Sequence, residues 1–179
     1  WWGIPSMIIF ALAILTWIRT HQLDPYQSIA YAGPIKRIEV VALRWKWLFI
    51  YPEEGIASVN ELVFPVGQQV EFHITADAPM SSFAIPQLGG QIYAMAGMRT
   101  RLHYLATQQG TYDGLNTQLN GDGFSDMHFP ARVVSQQDYQ AWIAQVRQKG
   151  LPLDLTTYAK LYEPQIKAPI SYYQQVTDG

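Results

Sequence analysis

The chain has 179 residues, of which 49% are hydrophobic, so it can form one domain core of ordinary size with an appendage. Its formal charge is only -2 and its 12 Lys and Arg form no basic patch, which argues against nucleic-acid binding. It contains no cysteine, which excludes disulfides, thiolate nucleophiles and thiolate metal sites.

Residues 1–20 predict a transmembrane helix. No side chain before Arg19 is charged, and a helix of that length reaches roughly 27 Å, near the thickness of the hydrocarbon core of a bilayer. Trp1 and Trp17 lie toward its two ends, where indole rings favour the membrane interface. A cleaved signal peptide is disfavoured because an initial Met and a basic stretch are missing. A buried helix of a soluble protein is disfavoured because the run is apolar all round.

Residues 21–36 form a polar linker rich in turn residues, and residues 37–134 then follow the period of β-strands. In the stretch EFHITAD, apolar and polar side chains alternate, which is typical of a strand with one solvated face. We expect about eight or nine short strands separated by Gly and Pro turns, which predicts a β-sandwich or a barrel.

The last segment, residues 135–179, predicts a helical extension. Ser135 is the expected N-cap of a first helix, with Asp138 three residues later and Gly150 as the stop signal. The apolar stripe of this helix contains Tyr139, Trp142, Ile143 and Val146. A second short helix is expected from Asp154 to about Tyr162. The pattern leaves open whether these helices and the tail that follows pack on the sandwich or on a partner.

No motif of an autonomous enzyme is present. The four histidines are His21, His73, His103 and His128. Their spacing is not that of a metal site, and we expect His73 and His103 to be exposed structural residues on the polar faces of their strands. Glu53 and Glu54 form a carboxylate pair in a turn, where we expect both to be solvated.

The loop from Gly114 to Phe129 has the most ligand-type side chains of any short stretch. Polar side chains at alternate positions from Asn116, with Gly121 at the sixth position, echo the spacing of an EF-hand loop. The twelfth position is Met127 instead of a bidentate glutamate, and the flanking segments predict strands, so calcium is a poor interpretation.

Three long segments in one order carry a family resemblance: LRWKWLFIYPEEGIASVNELVFP, SSFAIPQLGGQIYAMAGMRTRLHYLA and GTYDGLNTQLNGDGFSDMHF. They resemble subunit II of the haem-copper terminal oxidases, most closely the cytochrome bo-type ubiquinol oxidase branch, over essentially the whole chain. The resemblance implies a mainly β, cupredoxin-like Greek-key β-sandwich, anchored by an N-terminal transmembrane helix and followed by short C-terminal helices. The anchor resembles the second helix of the family's membrane hairpin.

In the cytochrome c oxidase branch of this family, the same loop holds a binuclear copper centre. The resemblance aligns six positions of this chain with the copper ligands: Ser81, Asn116, Gln118, Asn120, Phe124 and Met127. Only Met127 is of the residue type found in the copper-binding members. A bridged copper pair needs soft thiolates, which one thioether and neutral amides do not replace. The resemblance therefore implies no copper centre, no other metal or cofactor and no catalytic residue in this chain.

The resemblance also implies the partners. We expect a non-catalytic subunit of a proton-pumping ubiquinol oxidase in a bacterial inner membrane, with its globular domain on the periplasmic side. Haems and copper are expected in subunit I, which would also make most quinol contacts, and cytochrome c is not an expected partner. Trp45 and Trp47 are candidate subunit-interface residues, although core packing is the commoner role of such aromatics. The alternative is a membrane-tethered cupredoxin-like binding module outside an oxidase complex.

Overall fold

The computed structural model describes residues 1–24, 29 and 31–174. The N-terminal helix α1 (Gly3–Gln22) is long and apolar enough to cross a membrane. None of its residues is buried, so it is not a core helix of the globular domain. Arg19 and His21 lie in its last turn, and the imidazole of His21 packs on the indole of Trp17 with the ring centroids 4.5 Å apart.

The described part of the globular domain contains twelve strands, two further helices and one 3-10 turn, η1. The strands are β1 (Lys36–Leu43), β2 (Lys46–Tyr51), β3 (Ile56–Val59), β4 (Leu62–Pro65), β5 (Gln69–Ala76), β6 (Ser81–Ala84), β7 (Gln91–Ala94), β8 (Thr100–Leu105), β9 (Gly110–Asn116), β10 (His128–Val134), β11 (Leu151–Pro152) and β12 (Ser171–Gln174). The helices are α2 (Gln136–Lys149) and α3 (Leu155–Tyr162), and η1 spans Phe124–Asp126.

The strands form two sheets that face each other. The larger sheet has seven strands in the order β11-β12-β3-β2-β1-β5-β8, and the smaller has five in the order β4-β10-β9-β6-β7. Strand β1 pairs in parallel with β5, and β10 pairs in parallel with β4, while most other neighbours are antiparallel. This arrangement confirms the predicted mainly β sandwich.

Alternating side chains from the two sheets fill the space between them. Along β5 the apolar positions are buried and the polar positions between them are only partly covered, as the sequence predicts. Phe83 lies at the centre of an aromatic cluster, and its ring centroid is 5.4 Å from those of Trp47, Phe72 and Phe129. Opposite Phe129, a Cβ on Gly114 would lie 2.1 Å from the phenyl ring, so this core packing requires a glycine in β9.

The C-terminal segment packs on the sandwich. Ser135 caps α2 by accepting a hydrogen bond from the N–H of Asp138 at 3.1 Å, as predicted. The predicted apolar stripe of α2 is buried, and α3 begins after its N-cap Asp154. The extension is not wholly helical, because β12 pairs with β3 and adds a strand to the larger sheet.

Two buried polar side chains attach the segment between α3 and β12 to this sheet. Lys46, only 1% exposed, donates from Nζ to the carbonyl of Glu163 at 3.0 Å, and its burial lowers the pKa of its ammonium group. Asn60 donates to the carbonyl of Ala168 at 2.8 Å and accepts from the N–H of Trp47 at 2.8 Å. The end of the described chain is therefore part of the domain.

Candidate functional site

The polar loop joins β9 to β10 at one end of the sandwich. Leu115 and His128 are the last paired residues of these antiparallel strands, and η1 lies within the loop. The loop meets the first residues of β6 and the turn between β1 and β2. Segments that are far apart in sequence thus come together around it.

Asn116 organises the base of the loop. It is 3% exposed, and its Oδ1 accepts hydrogen bonds from the N–H of Ser82 at 2.8 Å and the N–H of Gln118 at 3.0 Å. Its Nδ2 donates to the thioether sulfur of Met127 at 3.4 Å. The amide group therefore gives the buried N–H of Ser82 in β6 its hydrogen-bond acceptor and stabilises the first turn of the loop.

Asn120 makes a second set of contacts to the same sulfur. Its Nδ2 donates to Oγ of Ser81 at 2.9 Å and lies 3.5 Å from Sδ of Met127. Oγ of Ser81 donates in turn to the carbonyl of Pro79 at 3.2 Å. We call Ser81, Asn116, Asn120 and Met127 the amide-thioether network.

The indole ring of Trp45 packs against the outer side of the loop. Its indole N–H donates to the carbonyl of Asn120 at 3.3 Å, and a Cβ on Gly123 would lie 2.4 Å from its Cγ. Trp45 has a φ of +62°, a left-handed conformation that is uncommon for a bulky residue. The contacts of the indole ring with the loop hold this turn in its unusual conformation.

The six sequence-predicted positions do not contribute equally. Four of them form the amide-thioether network. Gln118 is half-buried and enters it through its backbone N–H, whereas Phe124 is half-buried at the start of η1, where its carbonyl accepts from the N–H of Met127 at 3.2 Å. The contact between Trp45 and Gly123 could not be predicted from the sequence, because a turn and a loop 78 positions apart share no local pattern.

The amide-thioether network does not fit a binuclear copper centre. Met127 supplies one soft donor, is 1% exposed, and its sulfur already faces two amide N–H groups. Amide nitrogens that donate hydrogen bonds are not metal ligands, and the bridging positions of a copper pair require thiolates. In the described ranges, no group of three or more His, Asp or Glu side chains could hold a metal ion either.

The structure corrects the prediction that Trp47 is a subunit-interface residue. Trp47 is 0% exposed and packs edge-on against Phe83 and Phe129 in the core. Trp45 precedes β2 and its left-handed turn interrupts the strand alternation, so its indole contacts the loop while Trp47, within β2, lies between the sheets. Trp45 is half-buried and stays a candidate.

His73 and His103, which the sequence predicts to be exposed, are largely buried. The side chains of His73 and His103 are 11% and 5% exposed, and their Nε2 atoms lie 3.0 and 3.9 Å from Oε1 of Glu71. The register of β5 and β8 causes this, because it pairs Glu71 with His103. Both predictions of exposed histidines are therefore wrong.

The carboxylate pair in the β2–β3 turn is likewise not fully solvated. Lys36 bonds to both Glu53 and Glu54, and the side chain of Glu54 is 10% exposed. Burial acts to lower the pKa of Lys36, but the hydrogen bonds and charges of the two glutamates outweigh it and the pKa is raised. The prediction holds for Glu53, which is 55% exposed, and is wrong for Glu54.

The sandwich and its loop define a cupredoxin-like domain, preceded by an apolar helix that can anchor it in a membrane. Residues 17–135 match the family described as cytochrome c oxidase subunit II, periplasmic domain, and residues 147–179 match the cytochrome oxidase aromatic-rich motif. The chain belongs to the cytochrome c oxidase subunit II family.

Relatives and solved structures agree with this family. The chain is 48% identical to cytochrome bo(3) ubiquinol oxidase subunit 2 of Pseudomonas putida over 98% of its own length and 56% of that protein. It is 48% identical to ubiquinol oxidase subunit 2 of Acetobacter aceti over 99% of its length and 58% of that protein. The chain thus spans little more than half the length of these relatives.

Among solved structures, the chain is similar to the periplasmic domain of subunit II of cytochrome oxidase of Bradyrhizobium japonicum. The TM-score is 0.60 and the identity 25%, over 64% of this chain and 94% of the other. The cupredoxin-like fold that the resemblance implied is therefore confirmed.

Proposed function

We propose that this chain is a non-catalytic subunit II of a proton-pumping ubiquinol oxidase, which oxidises membrane quinol and reduces O₂ to water. The observation that carries the proposal is the amide-thioether network, found in a chain that is 48% identical to two ubiquinol oxidase subunits. A copper pair relays electrons from cytochrome c, whereas a quinol can reduce the catalytic subunit directly. A subunit II without the copper ligands therefore suits quinol as the donor.

In this proposal the six predicted positions, five in the loop and Ser81 at the start of β6, are former copper-ligand positions. Hydrogen bonds among Ser81, Asn116, Asn120 and Met127 give the loop the rigidity that metal ligation gives to copper-containing relatives. The haems and the copper of the active site belong to subunit I, and this chain holds none. Trp45, at the outer edge of the loop, is the proposed contact with a neighbouring subunit.

The apolar helix and the match to a periplasmic-domain family support the proposed placement. Residues 1–20 anchor the chain in the bacterial inner membrane and residues 21–36 connect the anchor to the domain. Residues 37–134 form the cupredoxin-like domain on the periplasmic side, and residues 135–179 extend it. The chain supports assembly and covers the outer face of subunit I, beside the other subunits and membrane lipid.

Purification in mild detergent separates this function from a membrane-tethered binding module. If the chain is an oxidase subunit, a tagged copy will co-purify with a large polytopic protein that shows haem absorption. A haem-free preparation of the chain alone, obtained where the oxidase is expressed and intact, contradicts the proposal and supports the binding module.

A second experiment tests the assignment of the loop positions separately. The fragment beginning at Tyr31 should form no binuclear copper centre, as measured by the absence of near-infrared absorption after loading with Cu(II). The multiple variant that restores a thiolate ligand set should gain a coloured copper pair; its substitutions are Ser81→His, Asn116→Cys, Gln118→Glu, Asn120→Cys and Phe124→His. If the folded variant shows no near-infrared absorption of a copper pair, the assignment of these positions is wrong.

A further inference from the structure

Three of the five methionines of the chain lie together at one end of the sandwich, outside the amide-thioether network. They are Met80, before β6, and Met95 and Met98, between β7 and β8. Met80 is 41% exposed and Met98 is 52% exposed, while Met95 is half-buried. At least two of these thioethers are therefore accessible from solvent.

The register of β6 and β7 brings Met80 and Met95 next to each other. Ser81 pairs with Ala94 in this antiparallel ladder, so Met80 and Met95 occupy the next opposed positions. Side chains alternate between the faces of a strand, and Phe83 points into the core. Met80 and Met95 therefore lie on the opposite face of the strands from Ser81, Phe83 and Ala94, and opposed residues have Cβ atoms roughly 5 Å apart.

A tight turn adds the third thioether. The N–H of Met98 donates to the carbonyl of Met95 at 3.3 Å, and Gly97 has a φ of +75°, which a turn of this kind requires at its third residue. The hydroxyl of Thr75 lies 3.5 Å from the same carbonyl. The backbone of this methionine pair is thus fixed by the turn and by the neighbouring strand β5.

We propose that Met80, Met95 and Met98 form a binding site for one soft monovalent cation of the Cu(I) class. Thioether sulfur is a soft, neutral donor, and it selects Cu(I) over the hard cations that prefer oxygen. The hairpin register places Met80 opposite Met95, and the turn keeps Met98 within three residues of Met95. Met80 and Met98 are open to solvent. Binding involves no change of oxidation state and no proton.

This site is distinct from the polar loop. Met127 is 1% exposed and its sulfur accepts from Asn116 and Asn120, so it is closed to an incoming ion. Met7 lies on α1 and is 74% exposed, far from any other methionine in the sequence. The remaining two methionines are therefore internal controls. The proposal does not depend on the oxidase function.

The test uses the full chain in detergent micelles with isotope-labelled methionine methyl groups. Ag(I) serves as the redox-inert probe ion, and reduced Cu(I) under anaerobic conditions as the second. The methyl signals of Met80, Met95 and Met98 are expected to shift together and to saturate at one equivalent of ion, while those of Met7 and Met127 stay in place. Shifts that do not saturate, or that appear equally at Met7 or Met127, would overturn the site.

Single variants test the geometry. Met80→Leu and Met98→Leu conserve volume on the surface, so the fold should persist. Each should weaken Ag(I) binding at least about tenfold, since even groups outside the ligand shell contribute that much to metal affinity. Met7→Leu is the matched control and should bind as the parent does. Equal affinity in Met98→Leu and Met7→Leu would show that the turn thioether is not a ligand.

Discussion

The central role of Asn116 in the loop can be tested by replacing it with alanine. The substitution removes the acceptor of the N–H of Ser82, which lies 2.8 Å away in a residue that is 1% exposed. A buried N–H left without a partner costs about 1–3 kcal/mol. Gln118 is half-buried, so water can replace the second bond. The expected loss in the free energy of unfolding is therefore about 2 kcal/mol, the middle of this range.

Asn120→Ala is the matched control. Its backbone carbonyl still accepts from Trp45, and Ser81, the side-chain partner it leaves behind, still donates to the carbonyl of Pro79. We expect a smaller cost of about 1 kcal/mol, the usual net value of one hydrogen bond.

The assay is urea unfolding of the fragment beginning at Tyr31, monitored through the near-ultraviolet circular dichroism of the buried aromatic cluster. The midpoint should fall in the order parent, Asn120→Ala, Asn116→Ala, with an unchanged dependence on urea. An Asn116→Ala variant as stable as the parent, or less affected than Asn120→Ala, would refute the account of the network.

Two further predictions concern the rest of the domain. Glu61, 5% exposed, accepts from Arg132 at 3.2 Å and from the hydroxyl of Tyr172 at 2.7 Å. Glu61→Ala should lower the free energy of unfolding by about 1–3 kcal/mol and increase hydrogen exchange in β12, because Tyr172 loses its acceptor while the partly exposed Arg132 regains water. Glu53→Gln, at an exposed position, is the control and should change neither quantity. Equal hydrogen exchange in both variants would contradict the role of Glu61 in holding β12. Burial raises the pKa of Tyr104 from 10.0 to about 12 against the opposing hydrogen bond from the N–H of Ile85. The folded state then holds a proton that the unfolded state releases, so stability should fall as pH rises from about 10 to about 12. Tyrosinate absorbance measured alongside unfolding checks this, and titration of all tyrosines near pH 10 without unfolding would contradict it.

The strands and helices of the domain could be predicted because their signals are local. Alternation in β5 and the Ser135 cap of α2 depend on neighbouring residues, and both are found. The strand β12 could not be predicted in this way, because its four residues have no strong period and are ordered by pairing with β3.

The contents of the candidate site could be predicted only in part. The polar loop was evident from composition, but the sharing of the Met127 sulfur by Asn116 and Asn120 depends on how the loop folds back. The burial of His73 and His103 around Glu71 depends on the register between β5 and β8. Sequence alone gives the types of these side chains and leaves their partners undetermined.

The central claim, a subunit II that serves quinol and not cytochrome c, is tested most directly by the electron donor of the complex. The oxidase purified through a tag on this chain should consume O₂ with ubiquinol as the donor, and should show no O₂ consumption above background with reduced cytochrome c. Turnover with reduced cytochrome c, together with a binuclear copper centre in the polar loop of this chain, would contradict the account.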